Sequence, residues 1–300
     1  MKFIKPTPVT DAILVSSTRA ENDYSAWSSG TTYALGAYCI STSTHRIYKS
    51  AQAGNLNHAP TTDDGTWWVD VGPTNRWAMF DQTVGSVTTQ ATPLTVVLDP
   101  GRIDALALLD VAGGLVDVTM ESTPGGSVVY DASFSMFDPS EPIVSWWAFF
   151  TVSMVQKTTL VVDDLPPYTG GRLTVSITAG VTAGCGTLVV GRAITVGETL
   201  AKPQIGIIDY SRKETDAYGV TSVVQRGYAK RIDLDVIVNA ALVDYVASML
   251  AEIRATPVVW VGDESRGYES LTAYGWVRDW GITIAYPTFS EARLQIEGLV

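Results

Sequence analysis

The sequence predicts a mainly β fold: a small aromatic β module, an antiparallel β-sandwich, and a C-terminal sheet-rich domain crossed by one α-helix. Three observations carry this. Short runs rich in β-branched and aromatic residues, punctuated by Gly, Pro and Asp, recur along the 300 residues. Helical spacing of apolar residues occurs in one segment, 239–257. Residues 27–68 concentrate six large aromatic residues among very few branched aliphatic ones.

Three hundred residues exceed the ~100–200 of an ordinary domain, so the chain is expected to divide. Residues 1–22 read as an N-terminal arm and linker, with TDAILVSS as a short strand and STRAEND as a polar connection. Residues 23–72 form the aromatic module. Residues 73–198 hold TPLTVVLD, IDALALLDV, GLVDVTMES, SVVYDASF, WWAFFTVSMV, KTTLVVDDL, RLTVSITA and GTLVVGRAITV, each expected to be a strand of an antiparallel sandwich.

Residues 199–300 change character. Strands flank a polar hairpin, SRKETDAYGVTSVVQRGYAK, and a helix is expected over 240–255. Leu242, Val246, Met249, Leu250 and Ile253 recur at helical spacing, Asn239 suits the N-cap, and Pro257 cannot continue the helix. TPVVWVGD, ESLTAYGWVRDW, GITIAYP and SEARLQIEGLV then return to strands, whose apolar face the helix would cover.

Composition excludes several classes of function. A formal charge of −11 without clustered Lys or Arg argues against a nucleic-acid partner, because phosphate binding depends on such clusters. No apolar run approaches the ~20 residues of a membrane span, so a soluble chain is expected. Pro6 and Pro8 interrupt the N-terminus, and Ala12 to Val15 is shorter than the ~7–15 residues of a signal-peptide core, so no secretion signal is read. Cys39 and Cys185 lie in different expected domains and read as unpaired structural thiols. His45 and His58 are the two histidines; without a Cys/His set at ligand spacing, neither a metal nor a cofactor is expected.

Catalytic signatures are missing as well. GxSxG is absent, and the glycine pairs of GGLV at Gly113 and TGGR at Thr169 open no helix that could cradle phosphate. Asp63 with Asp64, and Asp163 with Asp164, sit beside turn residues and read as solvated turns. No catalytic residue is assigned, and no enzyme is expected.

In a fifty-residue module, aromatic rings can themselves be the core, since each buried ring removes roughly 150–250 Å² from water. Trp27, Tyr33, Tyr48 and Trp68 are the expected core, with Gly36 and Gly54 in turns and Pro60 in the last loop. Tyr38 and Trp67 remain as surface rings able to stack on sugars, because adjacent Trp67 and Trp68 point to opposite faces of a strand. Just after the module, PTNRWAMFDQ reads as a connecting strand in which Trp77 and Phe80 anchor two domains, with Arg76 and Asp81 at the rim.

The series Trp27, Tyr33, Gly36, Cys39, Tyr48, Gly54, Pro60 and Trp68 resembles the small chitin- and cellulose-binding modules attached to glycoside hydrolases. In that family a valine occupies the place of Cys39, and an Asp that of Ala37. The resemblance implies a compact β module and, through Tyr38 and Trp67, contact with a glycan. PTNRWAMFDQ, LALLDV and the C-terminal VVWVGDESRGYESLTAYGWVRDWGITIAYPTFSEARLQIEGL together look like tail proteins of long-tailed bacteriophages. That resemblance implies a C-terminal split β-barrel-like domain, as in distal tail and tail-tube proteins, a place in the virion, and partners among other tail or baseplate proteins. It also implies a homo-oligomeric ring of three or six copies, with host-surface glycan as a further contact. The polar hairpin is the candidate intersubunit reach. Two alternatives stay open: a glycan-binding host-attachment protein, and an accessory part of a polysaccharide-degrading enzyme.

Overall fold

A computed structural model describes residues 1–82, 85–140, 143–215, 218–219, 221–263, 269–284 and 286–299. Within the segments that carry the tail-protein resemblance, residues 264–268 and 285 lie outside this set, as do residues 216, 217 and 220 of the polar hairpin. The fold is mainly β, with antiparallel pairing throughout its named strands. No helix among the described residues is long and apolar enough to cross a membrane. The chain forms two compact units, one made of residues 8–188 and the other of residues 1–7 with 189–300.

In the first unit, a five-stranded sheet has the order Val128–Ser135, Leu115–Glu121, Arg172–Thr178, Leu94–Leu98, Leu14–Ser17. Its register sets Val116 beside Ile177, and Ile177 beside Leu94. Every second residue turns inward, so Val116, Val118 and Met120 are buried on one strand and Leu173, Val175 and Ile177 on the next. Each such aliphatic burial stabilises by about 1.5–3 kcal/mol, which is what fixes the register. Thr159–Val162, Ala105–Ala112 and the beginning of Thr182–Thr195 line up as a second group of strands, with Thr88–Ala91 also on the last of them. Ala105 through Leu108 are all buried, as the second sheet of a sandwich requires.

Arg172 and Asp99 close one end of the five-stranded sheet with two hydrogen bonds of 2.8 Å. The Arg172 guanidinium holds the Asp99 carboxyl below its ordinary value. A depressed carboxylate adds stability above its unfolded-state value, and that stability disappears as pH falls through the folded-state value. Asp99→Asn should therefore cost up to about 1 kcal/mol at pH 7, because the pair is partly solvated. The difference from the parent chain should shrink as pH falls below the ordinary Asp value of about 4 and be lost once Asp99 is protonated in the folded chain, as denaturant titrations at several pH values would measure.

Two expected strands are absent: PTNRWAMFDQ, read as a connecting strand, instead carries a 3₁₀ turn at Ala78–Phe80, and WWAFFTVSMV is only partly extended. In WWAFFTVSMV, Trp146–Thr151 is a six-residue α-helix, and only Met154–Gln156 is extended, paired with Phe137–Pro139. Ser145 explains the start: its side chain accepts a hydrogen bond from the Ala148 amide at 3.1 Å, as an N-cap does. The rings are not buried, although apolar content suggested a core strand.

The second unit has the strand order Thr182–Thr195 (its later half), Lys2–Pro6, Val258–Val261, Thr272–Thr283, Phe289–Gly298, Tyr228–Asn239. Glu198–Thr199 and Gln204–Asp209 both pair with Tyr228–Asn239. The residues read as an arm divide between the units, since Lys2–Pro6 lies in this sheet and Leu14–Ser17 in the other. Asn239 Oδ1 accepts from the Ala241 amide at 2.9 Å and opens a 3₁₀ turn, Ala240–Leu242, that leads into the α-helix Val243–Glu252. Val246, Leu250 and Ile253 pack with Leu234, Val236 and Trp260, whereas Leu242, in the 3₁₀ turn, is exposed.

Candidate functional site

The aromatic module is built on a three-stranded sheet, Tyr38–Ser41, Arg46–Ser50, Trp68–Pro73, beside a short pair, Thr32–Tyr33 with Asn55–Leu56. Tyr33, Cys39, Tyr48 and Trp68 form one buried cluster, and Trp27, Ala37 and Trp67 pack against it partly buried. Tyr33 and Trp68 meet edge to face at 4.9 Å. The Trp68 indole donates to the His58 carbonyl at 2.8 Å, so the polar end of the ring is satisfied inside the module. Asp63 is a turn residue with a task, since its carboxylate accepts from the Gly65, Trp67 and Trp68 amides.

Tyr38 is exposed at its edge, but Tyr24 stacks on it at 4.8 Å and 14°, and the Lys49 ammonium lies 5.6 Å from its centroid. Trp67 lies just before the strand that begins at Trp68, and the His58 imidazole stacks on it at 3.9 Å and 10°. Each of these two rings therefore has one face already occupied by the chain itself.

A second cluster forms where the module meets PTNRWAMFDQ. Trp77 is buried, stacks on His45 at 4.0 Å and meets Phe80 edge to face at 5.8 Å. His45 sits in a hairpin turn with φ 56°, which swings its ring out of the sheet toward the motif. Its Nε2 faces Asp11 at 3.1 Å and its Nδ1 faces Glu21 at 3.1 Å. The Thr74 hydroxyl donates to Glu21 at 3.0 Å, the Asn75 amide to Asp23 at 2.9 Å, and Arg19 to Asp23 at 2.7 Å. Asn75 and Thr89 exchange two further hydrogen bonds. Trp77 and Phe80 line a hollow of about 300 Å³ with Asp11, His45, Arg46 and Asp81. Within the motif, Arg76 Nε, Trp77 Nε1 and Asp81 Oδ2 are buried with no hydrogen-bond partner among the described residues.

The motif fastens the module and the linker to the strands that follow, with acidic linker residues as the cleats. Both nitrogens of His45 already face carboxylates, so the imidazole orients its neighbours. Sequence reading placed Trp77 and Phe80 at this junction but missed Asp11, Glu21 and His45. The signal for Glu21 was the STRAEND run, whose carboxylates stand close in sequence to the module they bind, whereas nothing local marked Asp11 or His45.

Comparison with known proteins adds no family. No family model matches the chain. No curated protein matches it either.

Both thiols of the first unit are buried. Burial pushes Cys185 up to about 12 and Cys39 up to about 11. The folded chain should therefore leave both thiols unlabelled by an alkylating reagent at pH 8, at rates more than ~100-fold below those of the unfolded chain. Mass spectrometry of native and denatured samples would show zero and two adducts.

Proposed function

We propose that the chain is a non-enzymatic structural component of a phage tail tip or baseplate, assembling with copies of itself and with other tail proteins. The observation that supports this most directly is the hairpin Arg212–Thr215 with Thr221–Val224. Among the described residues these two strands pair with one another alone, and all eight of their residues are exposed. A lone two-stranded hairpin is marginal in water, and its outer edges are open to further strands. Exposed Val223 and Val224 on the hairpin, and Ile205 and Ile207 on Gln204–Asp209, supply apolar contact, while Arg212, Lys213 and Glu214 give a charged rim. Head-to-tail repetition of one such contact closes into a ring of three or six copies.

The module has a packing and spacing role in this reading, because Tyr24 and His58 already occupy faces of Tyr38 and Trp67. Glycan binding by the full chain, lost in Trp67→Ala, would reassign it to host attachment. The main test is an antibody against the chain applied to intact particles, together with copy number by quantitative mass spectrometry. Labelling at the tail tip with copies in multiples of three is the expected result. Absence from particles overturns the assignment.

A further inference from the structure

The α-helix Trp146–Thr151 stands at the end of the hairpin whose root is the pair Phe137–Pro139 and Met154–Gln156. Its rings point outward on every side, with Trp146 81%, Trp147 78%, Phe149 58% and Phe150 76% exposed, and Val144 just before it is exposed too. A helix that is apolar all round belongs inside something. Residues 143–156 contain no charged side chain, and the ion pair Asp138–Lys157 at the root neutralises itself at 2.5 Å.

The same unit carries a matching hollow. It has a volume of about 470 Å³ and is lined by Gly113, Gly114, Leu115, Phe137, Ala179 and Gly180, with no charged residue in its wall. That volume falls in the ~300–1,000 Å³ range of pockets that engulf bulky apolar groups. Phe137 and Gln156 belong both to the hollow and to the hairpin root, whereas none of the four exposed rings lines their own hollow.

We propose that this apolar knob inserts into the corresponding hollow of a second copy of the chain. The available area is sufficient. Four rings of roughly 150–250 Å² each, mostly exposed, give roughly 500–700 Å² per knob. With the surface they cover, this reaches the ~1,200 Å² at which specific interfaces begin. The knob alone lies at or above the top of the ~300–600 Å² of the largest apolar patch on a typical monomer. Charge permits the same occupant at this place. Two chains of −11 repel one another, and an uncharged knob meeting an uncharged hollow is where that repulsion is least. A bilayer with anionic lipids would repel the chain, and the knob has no Lys or Arg with which to hold one. The contact stands independently of any virion role and of the hairpin at 212–224.

Site-directed cross-linking reads this contact alone. Gly180 has open space around its Cβ position and tolerates Gly180→Cys, while Phe150→Cys changes an exposed residue. Native Cys39 and Cys185 are buried and do not interfere. Full-length chains carrying Phe150→Cys are mixed with differently tagged chains carrying Gly180→Cys and treated with a short bismaleimide. A mixed covalent dimer is expected to form roughly 100-fold faster than in a control where Ser127→Cys replaces Gly180→Cys, since held partners meet at millimolar effective concentration. It should disappear when Trp146, Trp147 and Phe149 of the first chain are changed to Ser. A mixed dimer no faster than the control overturns the proposal, even if rings still form through the C-terminal unit. Co-sedimentation with phosphatidylcholine vesicles in place of cross-linking would overturn it in favour of a lipid surface.

Discussion

Removing residues 1–7 is expected to unfold the unit formed with residues 189–300 while leaving residues 8–188 folded. Strand Lys2–Pro6 lies between two neighbours, pairing Lys2 to Pro6 with Thr195 to Gly191 on one side and Lys2 to Ile4 with Val261 to Val259 on the other. Without it both neighbours become unpaired edges. Phe3 and Ile4 are fully buried, and their burial alone is worth about 3–6 kcal/mol, a large share of the ~5–15 kcal/mol that holds a domain together. Gly191 shows how close the fit is: a Cβ there would overlap the backbone oxygen of Lys5. Limited proteolysis of the truncated chain should degrade residues 189–300 and spare the rest. Two protected units would refute the expectation.

Trp260→Ala is expected to destabilise the same unit by about 3–5 kcal/mol. Trp260 is completely buried, its ring lies 5.1 Å from that of Phe3, and its Nε1 donates to the Gly275 carbonyl at 3.1 Å. The substitution opens a cavity and strips a buried acceptor of its donor, and the second effect alone costs about 1–3 kcal/mol. Trp260→Phe keeps most of the volume but not the donor, so it should lose about 1–3 kcal/mol. Gly275 cannot compensate by gaining a side chain, because a Cβ there would overlap the Glu297 backbone. Denaturant midpoints of the three chains, at unchanged slope, measure the ordering.

These two outcomes also show where sequence reading stops. Alternation in LTVVL and RLTVSIT, and the Asn239 cap before an apolar stripe, are local signals, and the strands and the helix they announce are present. The module rings Tyr33, Tyr48 and Trp68 were legible because so small a unit has little else to bury. The place of Lys2–Pro6 was not legible, since its partners lie about 190 and 255 residues away and pairing at that distance leaves no mark on five residues. WWAFFT misled for a different reason. Six residues are too few to display a 3.6-residue period, and large apolar side chains suggest burial, yet Ser145 in front of them was a cap signal of the kind read correctly at Asn239. His45 reaches Trp77 only because of a left-handed turn, which no neighbouring glycine advertised.

The N-terminal strand also sets a timetable for biosynthesis. A ribosome adds ~5–20 residues each second, so Lys2 is made roughly 10–50 s before Val261, the last residue to be paired with it. Residues 8–188 can complete their own contacts early in that interval, whereas Phe3 and Ile4 gain Gly191–Thr195 as a neighbour first and Val259–Val261 at its end. The strand's second neighbour is complete only at the end of that interval, which leaves its apolar side chains open to aggregation until Val258–Val261 has been made.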